Sequence, residues 1–242
     1  MNPKPTIHPI PVRGRLQCAT YLINGPAGAV LIDPGSGEGE QDVIDGVRKV
    51  GRTLDEVPFC LLTHCHVDHA LGAYRFRNRG MQLVASARTA EIMRVGGHQM
   101  WYEYPDYAIP TEVDLTPADG AVLDLCGIAI RVVCTPGHTD GCASYLVDTD
   151  AGLTAFTGDL ITTSGQLGWS GSEGFSVADT LSSVEKLLAL KPVRAFWGHG
   201  SIPRPACDWL RDGLALGRAG KWVVGKEFHP DITPPACLER RK

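Results

Sequence analysis

The sequence has no long apolar run and no strong excess of charge of either sign. Its 242 residues carry a formal net charge of -4, with 43% hydrophobic and 21% charged residues, as is typical of globular proteins. No stretch approaches the apolar length of a membrane-spanning helix, and residues 1–14 contain no apolar core of signal-peptide length. The balanced charge gives no basis for binding nucleic acid or an acidic membrane. We therefore expect a cytoplasmic protein with a small-molecule substrate and neither a nucleic-acid nor a membrane partner.

The eight cysteines include no C-x-x-C pair. In a chain of this length without a visible export signal, an even number of cysteines does not indicate a disulfide framework. Four of the cysteines lie in apolar, strand-like runs, where cysteine packs as a small hydrophobic side chain; they are Cys18, Cys60, Cys126 and Cys134. Cys65 stands between two histidines, and on an extended segment it would face away from them and be packed.

The densest chemical feature is a group of three histidines and one aspartate within residues 64–69, directly after the apolar run 59–62. This run predicts a short buried strand, so the group lies where a strand ends and a loop begins. Imidazole and carboxylate are ligand types that zinc and similar divalent metals prefer. As ordinary packed side chains they would form a costly polar cluster. The pattern therefore favours metal binding.

The spacing within this group suggests two neighbouring sites. If residues 64–68 are extended, His64, His66 and Asp68 face the same way, whereas His69 points elsewhere. We interpret His64 and His66 as serving one site, and Asp68 and His69 as serving a second.

Apolar strands that run into a turn bearing histidine or aspartate recur along the chain. Later turns of this kind carry His138, Asp159 and His199. Strands and helices alternate in both halves, and the order of strands followed by a helix occurs twice. The pattern predicts an α/β protein with two similar halves around one site. The predicted strands cover residues 16–23, 29–32, 59–63, 82–85, 121–125, 128–134, 143–147, 153–157 and 193–197, and the predicted helices 41–50, 72–79, 88–95 and a segment after Ser176.

Two loops carry aromatic residues that are candidates for contacting a substrate. Residues 96–112 hold four aromatics between a Gly-Gly pair and Pro110, which indicates either a substrate wall or a helix that buries its aromatics in the core; we favour the wall. The glycine- and serine-rich residues 164–175 form the second candidate edge. The candidate pocket residues are Trp101, Tyr102, Tyr104 and Trp169.

Asp33 follows the first predicted hairpin in a glycine-rich corner. Two interpretations of this residue are equally supported by the sequence. Asp33 is either a cap or turn former, or a carboxylate that orients a ligand histidine.

The run His64-Cys65-His66-Val67-Asp68-His69 resembles the H-x-H-x-D-H signature of the metallo-β-lactamase superfamily. The motifs that contain Asp33, His138, Asp159 and His199 fall in the order used by that family, over roughly residues 16–200. The resemblance implies an αββα sandwich of two similar halves, with a metal site at one edge between the two sheets. It also implies a single domain over residues 1–242, with an N-terminal extension at about 1–14 and a C-terminal helical tail at about 201–242.

The resemblance further implies two divalent metal ions, zinc in the first place, with iron or manganese as alternatives. The implied ligands are His64, His66 and His138 for the first ion, Asp68, His69 and His199 for the second, and Asp159 as the bridge. A hydroxide bridging the ions would attack an ester, lactone or thioester carbonyl. Asp68 would orient the hydroxide and move its proton.

Within the superfamily, the chain is most similar to the glyoxalase II-type thioesterases and the lactonases. The segment after the last ligand is short for glyoxalase II, and Asp159 is not followed by the tyrosine of the acyl-homoserine lactonases. Asp159 argues against the β-lactamases that share this signature, because they lack a bridging carboxylate. The alternatives that stay open are a β-lactam hydrolase, an enzyme similar to the mononuclear iron persulfide dioxygenases, and a non-catalytic metal-binding module.

Overall fold

Two mixed β-sheets pack face to face in the structure, a computed structural model that describes residues 3–101, 104–223 and 238. The strands of the first sheet, in spatial order, are β1 (Thr6–Ile10), β2 (Thr20–Gly25), β3 (Gly28–Ile32), β4 (Phe59–Leu61) and β5 (Gln82–Val84). Those of the second, also in spatial order, are β6 (Val122–Leu125), β7 (Ile128–Cys134), β8 (Ala143–Thr149), β9 (Gly152–Phe156), β10 (Arg194–Trp197) and β11 (Gly200–Ser201).

Helices cover the outer face of each sheet. They are α1 (Glu40–Lys49), α2 (Val67–Ala70), α3 (Ala73–Arg77), α4 (Ala87–Val95), α5 (Val177–Leu190) and α6 (Ala206–Arg218). The buried residues of α1, α3 and α4 pack on the first sheet, and those of α5 and α6 pack on the second. None of the helices in the described ranges combines the length and apolar character needed to cross a bilayer.

Side chains alternate between the two faces of each central strand, which explains the layering. In β3, Val30 and Ile32 join the core between the sheets, whereas Leu31 joins the core beneath the helices. In β8, Tyr145 faces the first sheet and Leu146 faces α5 and α6. A strand buried on both faces reads as a nearly continuous apolar run, as the sequence of β3 does. The predicted αββα sandwich is therefore confirmed.

The two halves repeat one arrangement. In each half, antiparallel strands are followed by a helix that crosses over to a parallel strand: β3, α1 and β4 in the first half, and β9, α5 and β10 in the second. Parallel neighbours end at the same edge of a sheet. The crossovers therefore bring the carboxyl ends of these strands together.

The N-terminal segment differs from the expected extension. Residues 6–10 form β1, which pairs with β2 in antiparallel register, with His8 opposite Leu22. Pro9 lies within this strand, and an edge strand tolerates proline because its outer side donates no ladder hydrogen bonds. In the expected C-terminal tail, the described residues include Ser201 of β11 and the whole of α6.

The packing of α6 depends on Trp209, which leads to a stability prediction. Its side chain is fully buried, and its indole Nε1 donates a hydrogen bond of 2.8 Å to the carbonyl of Thr162. Trp209→Ala should lower the free energy of unfolding by about 3–5 kcal/mol, because it leaves a cavity and an unpaired carbonyl. Urea unfolding measures the change.

The matched control for this prediction is Val193→Ala. The Val193 side chain is 54% exposed, so the truncation should change the free energy of unfolding by no more than about 0.5 kcal/mol. A loss of under about 1 kcal/mol for Trp209→Ala would show that α6 contributes little to the fold.

Candidate metal centre

The histidines and aspartates singled out in the sequence lie at the carboxyl ends of strands, along one edge between the sheets. Asp33 follows β3 and the His64–His69 run follows β4 in the first sheet. The residues from the second sheet are His138 after β7, Asp159 after β9 and His199 after β10. The strand ends of an α/β protein commonly hold its ligands, because loops there converge on one crevice.

Backbone hydrogen bonds fasten the two sheets together at this edge. The amide of Ala143 donates to the carbonyl of Thr63 at 2.8 Å, and the amide of Ala19 donates to the carbonyl of Gly198 at 2.6 Å. Gly198 also donates to Gly158 at 2.9 Å. The loops that carry the histidines are therefore held by main-chain contacts rather than by side chains alone.

His64, His66 and His138 form the first group, in which each residue offers one nitrogen within 4.8 Å of the others. The two closest nitrogens are His66 Nδ1 and His138 Nε2, at 2.9 Å. His64 and His138 are buried, at 0% and 2% exposure. Three converging imidazoles are a typical donor set for a divalent transition metal.

Asp68, His69, Asp159 and His199 form the second group, also within 4.8 Å of one another. His69 Nε2 lies 3.4 Å from Asp68 Oδ2 and 3.5 Å from Asp159 Oδ1. His199 Nε2 lies 3.5 Å from Asp68 Oδ2. This group mixes carboxylate and imidazole donors, which suits the same class of metals.

Asp159 stands between the two groups. Its Oδ2 lies 3.2 Å from His199 Nε2 in the second group and 3.8 Å from His138 Nε2 in the first. One carboxylate therefore faces nitrogens of both groups, as a residue that bridges two cations must.

The backbone conformation of the loop after β4 differs from the one expected. The expected extended conformation ends at His66, which precedes α2 with φ -62° and ψ 151°. Asp68 and His69 belong to the helical turn of α2 instead. The predicted extension of residues 64–68 is therefore wrong at its end, because the helical turn, not strand alternation, directs Asp68 and His69 to the second group.

Asp33 is connected to both groups by hydrogen bonds: directly to His69, and through Thr63 to His64. Asp33 Oδ1 accepts from the backbone amide of Thr63 at 2.8 Å, and Oδ2 accepts from the Thr63 hydroxyl at 2.7 Å. Asp33 Oδ2 also lies 2.8 Å from His69 Nδ1, and the Thr63 hydroxyl lies 3.1 Å from His64 Nδ1.

A consistent assignment of protons follows from this network. The hydroxyl of Thr63 has one proton, and if it donates to Asp33 it must accept from His64 Nδ1. His69 Nδ1 then also donates to Asp33. Both histidines carry their proton on Nδ1 and present the Nε2 lone pair, which is the form that binds a metal.

The electrostatics of the centre favour a cation. Burial disfavours the charged form of His69, but Asp68, Asp159 and Asp33 together raise its pKa well above the ordinary value. Burial likewise acts against ionised Asp159, yet His199 and His69 hold its pKa well below the ordinary value. The field that stabilises positive charge on His69 also attracts a divalent cation.

In the first group, burial sets the direction of the pKa shifts of His64 and His138. It lowers the pKa of His64 well below the ordinary value, with His69 and His66 adding to the effect, and it lowers the pKa of His138. Neutral imidazole is the form that binds a metal.

Buried polar atoms without a hydrogen-bond partner also indicate that the donor set fits a metal. Across the described ranges, the buried side-chain nitrogen and oxygen atoms without a hydrogen-bond partner are His64 Nε2, His69 Nε2, His138 Nδ1 and Asp159 Oδ1. Unpaired buried polar atoms are costly and rare in a folded protein. A divalent ion would accept lone pairs from His64, His69 and Asp159. His138 Nδ1 is on the opposite edge of its ring from the Nε2 that faces His66.

Two cavities open beside these groups and share the wall formed by Trp169. The larger, of about 170 Å³, is also lined by Asp159 and His199, and the smaller, of about 40 Å³, by Trp101. The Trp169 ring contacts that of His66, with 6.1 Å between centroids. Trp169 therefore lies beside the first group and lines both cavities.

The other aromatic candidates divide between core and pocket. Trp101 is 4% exposed, belongs to the core beneath the helices and reaches the smaller cavity. Tyr104 packs against that core and Trp101, 5.3 Å between ring centroids, and lines neither cavity. Its place in the substrate pocket stays a prediction, and the side chain is half-buried. Tyr102 lies outside the described residues.

Several residues of the site were not singled out from the sequence. Arg15, Gln17, Trp197 and Val223 line the larger cavity, and Thr63 completes the hydrogen-bond network. Thr63 adjoins His64, and this adjacency was the available signal. The cavity residues come from distant segments and have no distinguishing pattern.

Several known proteins are similar to this chain in sequence. The chain is 30% identical over 192 residues to the beta-lactamase-like protein 2 homolog of Drosophila melanogaster, which covers 76% of the chain and 58% of that protein. It is 30% identical over 127 residues to the hydroxyacylglutathione hydrolase of Acidiphilium cryptum, which covers 52% of this chain and 43% of that protein. It is 26% identical over 184 residues to the atrochrysone carboxyl ACP thioesterase of Aspergillus fumigatus, which covers 76% of this chain and 50% of that protein. The chain thus spans about half the length of these relatives.

Solved structures show the same fold. A metallo-beta-lactamase of Cronobacter sakazakii superposes with a TM-score of 0.70 at 21% identity, over 90% of this chain and 93% of that one. The family model of the metallo-beta-lactamase superfamily matches residues 13–199, the span that contains every residue of both metal-binding groups. The chain therefore belongs to the metallo-beta-lactamase superfamily.

Proposed function

We propose that the chain, a metal-dependent hydrolase of the metallo-beta-lactamase superfamily, uses two divalent ions to hydrolyse small-molecule thioesters. The observation that carries the proposal is the position of Asp159, whose carboxylate faces nitrogens of both groups. A structural site would be closed by its protein ligands, whereas three protein ligands and a shared carboxylate leave a position for substrate.

The residues have distinct roles in this proposal. His64, His66 and His138 would hold the first ion, Asp68, His69 and His199 would hold the second, and Asp159 would contribute to both. Nitrogen and carboxylate donors without thiolate suit zinc, with iron and manganese as the other candidates. When bound, the ions supply Lewis acidity toward a carbonyl oxygen and lower the pKa of water enough to give a nucleophile near neutral pH.

Asp68 orients the attacking water and moves its proton. Its Oδ2 lies 3.4 Å from His69 Nε2 and 3.5 Å from His199 Nε2, and its side chain is 20% exposed toward the larger cavity. A carboxylate fixed beside the ligand atoms and open to the cavity can accept the proton at Oδ and pass it to the leaving group. Trp169 and the cavity walls limit access of bulk water.

The choice of thioester over lactone or ester rests on two observations. Relatives of the chain include a hydroxyacylglutathione hydrolase and an acyl carrier protein thioesterase. The residues after Asp159 are Leu160 and Ile161, both buried, so no tyrosine hydroxyl is offered from this position to a lactone. The β-lactamases among the solved structures are under 25% identical and support the fold alone.

The substrate class is tested by a panel of thioesters, lactones, oxoesters, β-lactams and phosphodiesters. We expect thioesters to give kcat/KM at least about tenfold above that for each other class. Higher turnover of lactones or β-lactams would overturn the choice of bond. Bound iron with oxygen uptake on a persulfide would instead assign an oxygenase, and inertness toward the whole panel despite full metal loading would assign a metal-binding module.

The bridging role of Asp159 gives a prediction on metal content. Protein purified without chelator should contain about two divalent ions per chain, and Asp159→Ala should reduce this number and abolish hydrolysis, because each ion loses a ligand. Elemental analysis with a kinetic assay measures both. Asp148→Ala is the control, since this aspartate pairs with Lys4 on the surface and should leave both quantities unchanged.

Two further variants, Asp33→Asn and Thr63→Val, distinguish the metal affinities of the two sites. Asp33→Asn keeps the shape of the side chain but removes the charge that orients His69, so we expect metal affinity at the second site to fall by about 10–100-fold. Thr63→Val removes the link to His64 and the hydroxyl bond to Asp33. It keeps the backbone amide bond to Asp33 and the contact of Asp33 with His69, so it should weaken mainly the first site. Competition titrations with a chromophoric chelator resolve the two affinities. Equal losses at both sites in Thr63→Val would contradict this assignment.

A further inference from the structure

Arg15 brings a positive charge to the edge of the larger cavity. Among the described residues, it is the one lysine or arginine that lines either of the two cavities beside the metal centre. Its side chain is exposed, and it precedes β2 on the loop that also carries Gln17. A substrate bound in the larger cavity would therefore lie beside Arg15.

The guanidinium of Arg15 is unpaired within the described parts of the chain, unlike most arginines there. Arg13, two residues earlier, forms an ion pair with Asp42, and Arg75 pairs with Glu40. Surface arginines commonly find such partners because an acidic residue is rarely far away. An arginine beside a cavity that has no such partner keeps all its donors for a ligand.

The backbone of Arg15 is nevertheless fixed. Glu38 Oε2 accepts hydrogen bonds from the amides of Arg15 at 3.0 Å and Leu16 at 2.8 Å. The nearest carboxylate is therefore used to hold the main chain in place. A fixed backbone with an unpaired side chain is the arrangement expected of a residue that recognises a ligand, because less conformational entropy is lost on binding.

The other charges of the cavity do not compete for a substrate anion. The acidic residues that line it are Asp68 and Asp159, which the proposed function assigns to the metal ions. A single planar guanidinium matches a carboxylate in charge and can bind it through two parallel hydrogen bonds. A phosphate carries more charge and commonly requires further cationic donors, which the described lining does not offer.

We propose that Arg15 binds a carboxylate of the substrate, so that the enzyme prefers thioesters that carry a free carboxylate to neutral thioesters of the same size. This inference rests on the proposed function for the reaction but makes a separate claim about specificity. Arg15 is a specificity-determining residue and takes no part in the cleavage step.

Two matched pairs of thioesters test the proposal. The first pair is the succinyl thioester of N-acetylcysteamine and its methyl ester, which differ in charge on the acyl side. The second is the acetyl thioester of N-acetylcysteine and its methyl ester, which differ on the thiol side. We expect the wild-type enzyme to prefer the anionic member of at least one pair by about tenfold in kcat/KM.

Arg15→Gln should remove this preference through KM, with kcat and the neutral member changed by less than about twofold, because only uniform binding is lost. Arg15→Glu should invert the preference. Arg131→Gln is the matched control, since Arg131 is exposed on β7, forms no described ion pair and lines neither cavity. No charge preference in either pair, or an equal loss for both members in Arg15→Gln, would overturn the proposal.

A binding measurement keeps the two proposals distinguishable. Thioether analogues of the same pairs cannot be hydrolysed, and calorimetry gives their Kd for the purified protein. If no thioester is turned over, the proposed function fails. Tighter binding of the anionic thioether, lost in Arg15→Gln, would still support the role of Arg15, and equal binding of both analogues would refute it.

Discussion

The carboxylate of Asp33 is the constraint on which the geometry of the metal centre depends. It holds Thr63 through two hydrogen bonds and His69 through a third contact, and Thr63 in turn contacts His64. One buried side chain therefore orients a histidine of each metal-binding group. Asp33 adopts φ 50°, a conformation that aspartate tolerates better than most residues, and Thr20 donates a 2.7 Å hydrogen bond to its carbonyl. The turn at the end of β3 is thus built to place this carboxylate.

The remaining ligands depend on the fastening of the two sheets. Parallel pairing of β3 with β4 and of β9 with β10 brings their carboxyl ends to a common edge. Tyr145 of the second sheet donates to the carbonyl of Leu62 at 2.8 Å, and Tyr21 of the first donates to that of Trp197 at 2.8 Å. These reciprocal bonds hold the loops of His64 and His199 in a fixed relation, so the donor groups that come from the two halves keep their relative positions.

The substrate side of the centre is assembled from segments far apart in the chain. Trp169 separates the two cavities, and its loop is supported by the segment after α6. Ser170 donates to the carbonyl of Val223 at 2.9 Å, and Val223 donates to that of Leu167 at 3.3 Å. Arg15 approaches from the opposite end of the sequence. The cavity walls therefore come largely from loops around the ligand set, the usual division in proteins that share a fold.

The sequence alone predicted most of the strands and helices and the candidate ligands, because these follow from local periodicity and from histidines and aspartates crowded at predicted strand ends. It did not predict β1 or the helical turn of α2. It also separated His64 and His66 from Asp68 and His69, although the separation arises from a helical turn. The tertiary structure decided what depends on distant partners. It chose orientation of His69 over turn formation alone as the role of Asp33, packed Tyr104 against the core and brought Arg15 to the cavity. Burial and hydrogen bonding between residues remote in sequence arise only when the sheets pack, so no local pattern encodes them.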